Sequence, residues 1–442
     1  MRLTQLWLAL SCFPLVIMAA KDPPTWVELG SGQVLARQVL VNGGPCPSVS
    51  LTGGSQSSIP MTPRGPAPSK WTAAPVVCEA PIPAGAASAN IGSIALALPK
   101  ANIVNVVVVG DTGCAGSIAP GEKVSPTPED DEEPAAKTQK CSGRWPLKKL
   151  SETVAKQAPD LIIHVGDYVY VSDENWAMWN EQFFTPAAKM LSVAPWIFVR
   201  GNHETCGRHG PGYFYLLDPR SATACTSDAT DPYLISTGGQ QYVVLDSSGA
   251  TCDFASACKP KTLSSEIGTW GNLLAAAQGL VPAGTTAPLL THRPVFGAKS
   301  GKGSPSAGFC AYPPPSSGQV IDTLNATLQG AWTHVKPTAF SMVYSGHTHL
   351  FALTTFTKDA APQLVVGDSG TELAHALPLH LKDCKLGTPK QHLHLSTLHS
   401  RQKWGFGAIS GNNLSVYSPA GKTMLKCTIA ATWAKCPPSK SK

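Results

Sequence analysis

From residue 103 onward, short and almost uninterrupted apolar runs alternate with helix-like segments. Ile103–Val109, Leu161–Val165 and Trp196–Val199 are runs of the first kind. Such runs suit strands buried on both faces, because a strand with one wet face would alternate apolar and polar positions. Trp145–Gln157, ending just before Pro159, and Trp176–Ser192 are predicted helices. Strands and helices in alternation predict an α/β domain. Tyr242–Leu245, Leu289–Thr291 and Ser341–Tyr344 are further predicted strands. Leu364–Val366 and short β-like pieces after Lys403 are expected to complete a second sheet.

The chain upstream has a different texture. Residues 21–98 are rich in Gly, Pro, Ser and Ala, carry short apolar stretches such as Val34–Val41, and lack helical periodicity. They predict a small β-rich domain stapled by Cys46 and Cys78, with Gly53–Lys70 as a turn-rich loop. Residues 99–442 then form the larger domain, with its chemical motifs over 110–349 and its C-terminal β segments over 364–442. Residues 1–20 read as a secretory signal: Arg2 precedes an apolar stretch from Leu6 to Ala20, and Ala19-Ala20 offers small residues for cleavage. A lipid-attachment reading of Cys12 is weaker, since Ala9-Leu10-Ser11 is a poor context and the apolar run continues past it. No other run approaches the roughly 18 apolar residues of a transmembrane helix. The expectation is therefore an exported protein, secreted or periplasmic.

Composition sharpens this picture in two ways. A net charge of +6 over 442 residues is mild, and no dense Lys/Arg run marks a nucleic-acid face. The acidic run Glu129–Glu133, among Pro126, Pro128 and Pro134, reads as a solvated loop. Of 13 cysteines, removal of the signal with Cys12 leaves an even number, as expected for an oxidised exported protein. Neighbours in sequence suggest the pairs Cys46–Cys78, Cys114–Cys141, Cys206–Cys225, Cys252–Cys258 and Cys427–Cys436, leaving Cys310 with Cys384. No CxxC pair supports a cysteine zinc site. Asn325-Ala326-Thr327 and Asn413-Leu414-Ser415 are glycosylation sequons that matter only in a eukaryotic source.

Five places join an apolar run to a metal-competent residue: Gly110-Asp111-Thr112-Gly113, Gly166-Asp167-Tyr168-Val169-Tyr170, Gly201-Asn202-His203-Glu204, Thr291-His292, and Gly346-His347-Thr348-His349. In open α/β sheets ligands bind beyond the carboxyl ends of strands, which is where each motif falls. Carboxylate, phenolate, amide oxygen and imidazole together suit Fe, Mn or Zn rather than Cu(I) or calcium. A single Gly-Asp turn would be an ordinary loop; five strand-end motifs with metal-competent residues in one chain predict a dinuclear site.

In this order the motifs resemble the calcineurin-like metallophosphoesterase superfamily, and within it the purple acid phosphatases, over about Ile103 to Phe351. The mark of the latter is a tyrosine three residues after the bridging aspartate, here Tyr170 after Asp167. The resemblance implies a four-layered α/β/β/α sandwich with two mixed sheets, preceded here by the small β-rich domain. It implies that one metal, iron(III), takes Asp111, Asp167, Tyr170 and His349. A second, divalent Fe, Zn or Mn, takes Asp167, Asn202, His292 and His347. His203 would hydrogen-bond the phosphoryl group and protonate the leaving alcohol. The two metal ions keep a net positive charge after two carboxylates and a phenolate, which attracts a phosphate dianion and supplies a metal-bound hydroxide for attack. The implied enzyme is a phosphatase acting on a phosphorylated small molecule or other phosphoester. A phosphodiesterase or nucleotidase with the same metals is the alternative, and a non-catalytic binding protein a more distant one.

Two departures bear on substrate preference. Leu289 stands where a valine is usual, a core position without chemical consequence. No histidine occurs between His292 and His334 to face substrate, which leaves Arg293, Lys299 or Lys302 as replacements. Other polar groups take plainer readings. His164 is expected as a core histidine, and Gly367-Asp368-Ser369-Gly370 as a strand-end turn. Arg208 and His209 either line the pocket mouth or serve a loop. His375, His380, His392, His394 and His399 are expected in exposed loop.

Overall fold

The computed structural model describes residues 22–115, 145–221, 224–253, 258–302, 319–358, 360–374, 377, 385–388 and 391–437. The expected signal at 1–20, the acidic run, Cys141, Cys310, Cys384, His375 and His380 lie outside them.

Two sheets stack face to face. One has 11 strands, in the order Ala434–Lys435, Thr423–Ile429, Asn413–Tyr417, Phe406–Ser410, Val106–Val109, Leu161–His164, Trp196–Phe198, Thr25–Gly30, Gln33–Leu40, Val76–Pro81 and Thr62–Pro63. The other has 8, in the order Tyr233–Thr237, Gln240–Val244, Ala287–Leu290, Phe340–Ser345, Gln363–Val366, Phe351–Phe356, Gln391–Arg401 and Lys385–Thr388. Both are mixed. Val106–Val109, Leu161–His164 and Trp196–Phe198 run parallel, as do Ala287–Leu290 and Phe340–Ser345, while the flanking strands are largely antiparallel.

The unbroken apolar runs have a direct explanation in the layers. Val106, Val108, Leu161 and Ile163 point between the sheets and meet Leu290, Tyr344, Leu364 and Val366. Val107, Val109, Ile162 and Phe198 point outward onto Leu147, Leu150, Phe183 and Met190 of the covering helices. The second sheet likewise turns Val243, Leu289, Val343 and Val365 toward Trp270, Leu274, Leu328 and Trp332. Helix, sheet, sheet, helix is thus the four-layered sandwich expected, and two-sided burial is why its strands lack alternation.

Several boundaries and elements differ from expectation. The first predicted helix spans Leu147–Lys156. The second is interrupted: Trp176–Trp179 passes into a π-turn, Asn180–Phe184, before Thr185–Leu191 resumes α geometry. The π-turn brings Gln182, Phe183 and Phe184 all to the buried side, and such turns recur at functional sites. Helices Gly210–Leu216, Pro260–Gly279 and Ala326–Val335 were not expected. Asn325 caps the last of these, accepting from Leu328 N at 2.9 Å while its amide nitrogen donates to Ala250 O and Asp253 Oδ1. That fully buried side chain is spent inside the fold, so the sequon reading of Asn325 is corrected; Asn413 is exposed. His392, His394 and His399 belong to strand Gln391–Arg401 rather than to a loop.

The N-terminal β-rich region is knitted into the larger sheet. Thr25–Gly30 runs parallel to Trp196–Phe198 with Glu28 opposite Trp196, and Gln33–Leu40 and Val76–Pro81 follow it antiparallel. A separate 4-stranded sheet of Ser58–Pro60, Ser48–Thr52, Ser88–Ile91 and Ile94–Ala95 lies beside this extension. Buried charges tie the region down. Arg37 pairs with Glu28 at 2.6 Å and donates to the carbonyls of Leu216 and Asp218, which Arg64 also reaches at Asp218. Disulfides Cys46–Cys78, Cys206–Cys225, Cys252–Cys258 and Cys427–Cys436 form as expected.

Candidate metal centre

All five strand ends meet at one edge of the sandwich, three from the first sheet and two from the second. The turns that deliver the side chains are unusual. Asp111, Asp167 and His347 adopt φ values of 54°, 62° and 68°. Left-handed backbone at non-glycine residues costs about 1 kcal/mol or more each and persists where surroundings over-determine it. Glycines make the close approach sterically feasible: a Cβ on Gly201 would stand 2.1 Å from Asp167 Oδ1, and one on Gly346 2.2 Å from Asp111 Oδ2.

The seven expected ligand residues come together in two overlapping sets. Tyr170 Oη lies 3.3 Å from Asp111 Oδ1, 3.1 Å from Asp167 Oδ2 and 3.2 Å from His349 Nε2. Asn202 Oδ1 lies 2.8 Å from both His292 Nε2 and His347 Nδ1, and His292 Nε2 lies 3.2 Å from Asp167 Oδ2. Asp167 Oδ2 therefore belongs to both sets. Ligand atoms bonded to one ion at about 2.0–2.2 Å stand about 3–3.5 Å from each other, the spacing seen here.

The donor chemistry fits cations as well as the spacing does. His292 Nδ1 lies 2.7 Å from the carbonyl of Val165, an acceptor, so Nδ1 carries a proton. A neutral His292 then aims the Nε2 lone pair at Asn202 Oδ1 and Asp167 Oδ2, leaving three electron-rich atoms facing one another. Without a cation between them, burial alone would push the His292 imidazole down, but Asp167 beside it pushes it up to about 9. Burial would raise the Asp167 carboxyl, yet His292 and His203 hold it well below the usual carboxylate range. The Asp111, Asp167 and His292 ligand atoms all lie within 4.8 Å of one another.

Backbone amides orient the carboxylates. His203 N donates to Asp167 Oδ1 at 3.0 Å, and His347 N to Asp111 Oδ1 at 2.9 Å. Around them stand residues to which the sequence reading assigns no role, among them Glu204 at the end of the third motif. Glu204 is fully buried and accepts the N–H groups of Asp167, Tyr168 and Gly201 at 3.1, 2.9 and 3.1 Å. Gln182 Oε1 accepts from Tyr170 N and Cys114 N. Asp253 Oδ2 lies 3.2 Å from His347 Nε2 and 2.5 Å from Arg293 Nη1. Burial would raise its carboxyl, but Arg293 and His347 hold it well below the usual range. The only local signal for Asp253 is its place inside the Cys252–Cys258 clip.

The remaining candidates sort as follows. His203 is buried, its ring 4.0 Å from that of Tyr170, and Arg208 Nη2 reaches its Nδ1 at 2.6 Å. Arg208 thus stands against His203, whereas His209 turns inward to the carbonyl of Val171 at 2.5 Å. Arg293 Nη1 stands 3.1 Å from His347 Nε2 but donates to Asp253 Oδ2 at the shorter 2.5 Å, which leaves that carboxylate facing both groups. His164 is the core histidine expected, accepting from Gly166 N and meeting Thr112 Oγ1 at 2.8 Å. Asp368 lies in the Gly367–Gly370 turn behind the Asp111 loop, fully buried, with Ser369 N donating to Gly110 O. Of Lys299 and Lys302 only the strand, Gly297–Lys302, is described.

Residues 104–351 match the family model described as calcineurin-like phosphoesterase. Among solved structures the chain is similar to purple acid phosphatase PPD1 isolated from yellow lupin (Lupinus luteus) seeds. Identity is 14% and the TM-score 0.52, with 91% of this chain and 73% of that one covered. It is also similar to PhoD, at 9% identity and a TM-score of 0.50 over 96% of this chain and 94% of that one. At such identities the likeness is one of fold. No curated protein matches the sequence significantly.

Proposed function

Because the chain belongs to the calcineurin-like phosphoesterase family, metallophosphoesterase hydrolases that use a dinuclear metal site, we propose that it is an exported phosphatase acting on phosphomonoesters. The observation that carries this reading is the sharing of Asp167 Oδ2 between two donor sets.

On this reading Asp111, Asp167, Tyr170 and His349 hold one ion, iron(III), and Asp167, Asn202, His292 and His347 hold a divalent Fe, Zn or Mn. Bound metals supply Lewis acidity at the phosphoryl oxygens and a hydroxide for in-line attack at neutral pH. The chain's own residues do the rest. Asp167 keeps its charge and its aim through His203 N, and Tyr170 completes the first set, its Oη within reach of Asp111, Asp167 and His349. His203, beside the shared carboxylate, hydrogen-bonds the phosphoryl group and assists departure of the alcohol. The disulfides and the leader-like residues 1–20 support export, and among the described residues no helix is long and apolar enough to cross a membrane.

The test compares turnover of an aryl monophosphate, its diester and nucleotides by purified protein of measured metal content. Monoester preference with two metals per chain is expected. Diester or nucleotide preference would shift the substrate class, and full activity in metal-loaded Asp167→Ala would sink the mechanism.

A further inference from the structure

The contact between Arg208 and His203 constrains the histidine beyond placing it. A guanidinium has only N–H donors and keeps its charge in proteins. With Arg208 Nη2 2.6 Å from His203 Nδ1, Nδ1 must offer its lone pair. The ring proton is then on Nε2. The imidazolium form, which needs a proton on both nitrogens, is incompatible with this contact.

The surroundings hold that arrangement in place. The turn carrying Arg208 is closed on both sides: Arg208 N and Gly210 N both donate to Thr205 O at 2.9 Å, and His209 N donates to His203 O at 3.2 Å. The Cys206–Cys225 disulfide and the buried His209 contact to Val171 O anchor it from either flank. His203 itself is pinned between the Tyr170 ring and the backbone bond to Asp167.

We infer that Arg208 is a positioning residue that fixes the tautomer of His203, making Nε2–H a hydrogen-bond donor to the phosphate ester rather than a proton that is given up. This rests on the assignment of His203 in the proposed function. In the resulting step a hydroxide oxygen forms the new bond to phosphorus while the ester P–O bond breaks with its electron pair on the leaving oxygen. That oxygen takes a proton from solvent water, which restores hydroxide. His203 stabilises charge on the ester throughout and ends as it began, so a neutral imidazole is never asked to become an imidazolate.

Selective 15N-histidine spectra of zinc-loaded protein test this directly, with His203→Gln identifying the signal. A protonated Nε2 and an unprotonated Nδ1 are expected near neutral pH, retained in Arg208→Lys and lost to a tautomer mixture or a doubly protonated ring in Arg208→Ala. The kcat of Arg208→Ala should fall at least tenfold with KM changed less, and Arg208→Lys should recover most of it. A protonated Nδ1 in wild type, or an Arg208→Ala spectrum and rate equal to wild type, overturns the inference. Unchanged turnover in His203→Ala would instead defeat the prior assignment of His203, so the two failures are separable.

Discussion

Glu204 grips the turn that presents Asp167: one carboxylate oxygen accepts from Asp167 N and Gly201 N, the other from Tyr168 N. Both oxygens face donors, so no orientation of a glutamine amide can satisfy the site, since its NH2 would point at backbone N–H groups. Glu204→Gln is expected to cost about 2–4 kcal/mol of stability and to lower metal content. Denaturant unfolding with metal analysis checks this, and a variant of wild-type stability would show that Glu204 is not needed to hold the turn.

Asp253 stands behind His347, on the nitrogen opposite the one that faces Asn202. A carboxylate on the far nitrogen fixes a ligand histidine's tautomer and raises its basicity, and loss of such a partner weakens metal binding about 10–100-fold. Asp253→Asn should therefore weaken the site of Asn202, His292 and His347 more than its neighbour. Competition with a chelator reads this site by site. Equal affinities in variant and wild type would leave Asp253 as a partner of Arg293 alone.

Tyr170 carries the iron(III) reading. A tyrosinate on iron(III) gives a visible charge-transfer band, so the iron-loaded protein should be coloured. Tyr170→Phe should bleach it while Asp111, Asp167 and His349 retain metal. Active, colourless wild type would point to manganese or zinc in both positions.

Asp368, in the turn behind the Asp111 loop but outside the seven expected ligand residues, predicts a pH dependence of stability. Burial pushes its carboxyl up to about 8 from an ordinary 3.8, and neither oxygen has a hydrogen-bond partner among the described residues. A folded value above the unfolded one means stability is fully present below about pH 4 and is lost as pH rises to about 8. The loss is on the order of 5 kcal/mol at most. Asp368→Asn cannot ionise, so its stability relative to wild type should climb across that window and then level off. A pH-independent difference would show that Asp368 is solvated or paired in solution.

Local pattern reached a long way in this chain because the chemistry sits at strand ends. An apolar run, a glycine and then a donor residue is written within a few neighbours, and runs such as Val106–Val109 and Leu161–His164 lack alternation because both faces are covered. That much determined the α/β class and located the five motifs, whose order carries the family resemblance that in turn implies the ligand set, Tyr170 three residues beyond Asp167 included. What tertiary structure decided is everything that depends on stacking one sheet against the other. Glu204 meets the Asp167 turn across 37 residues and Asp253 meets His347 across 94, distances at which no spacing rule operates. Residues 21–98 read only as generally β-rich, and packing alone set Thr25–Gly30 beside Trp196–Phe198 with Glu28 against Arg37. Pro260–Gly279 hides behind its glycines and serines, which weaken local helix preference until Trp270 and Leu274 find the second sheet. A donor atom's identity is a property of its residue; which lone pairs face each other is a property of the fold.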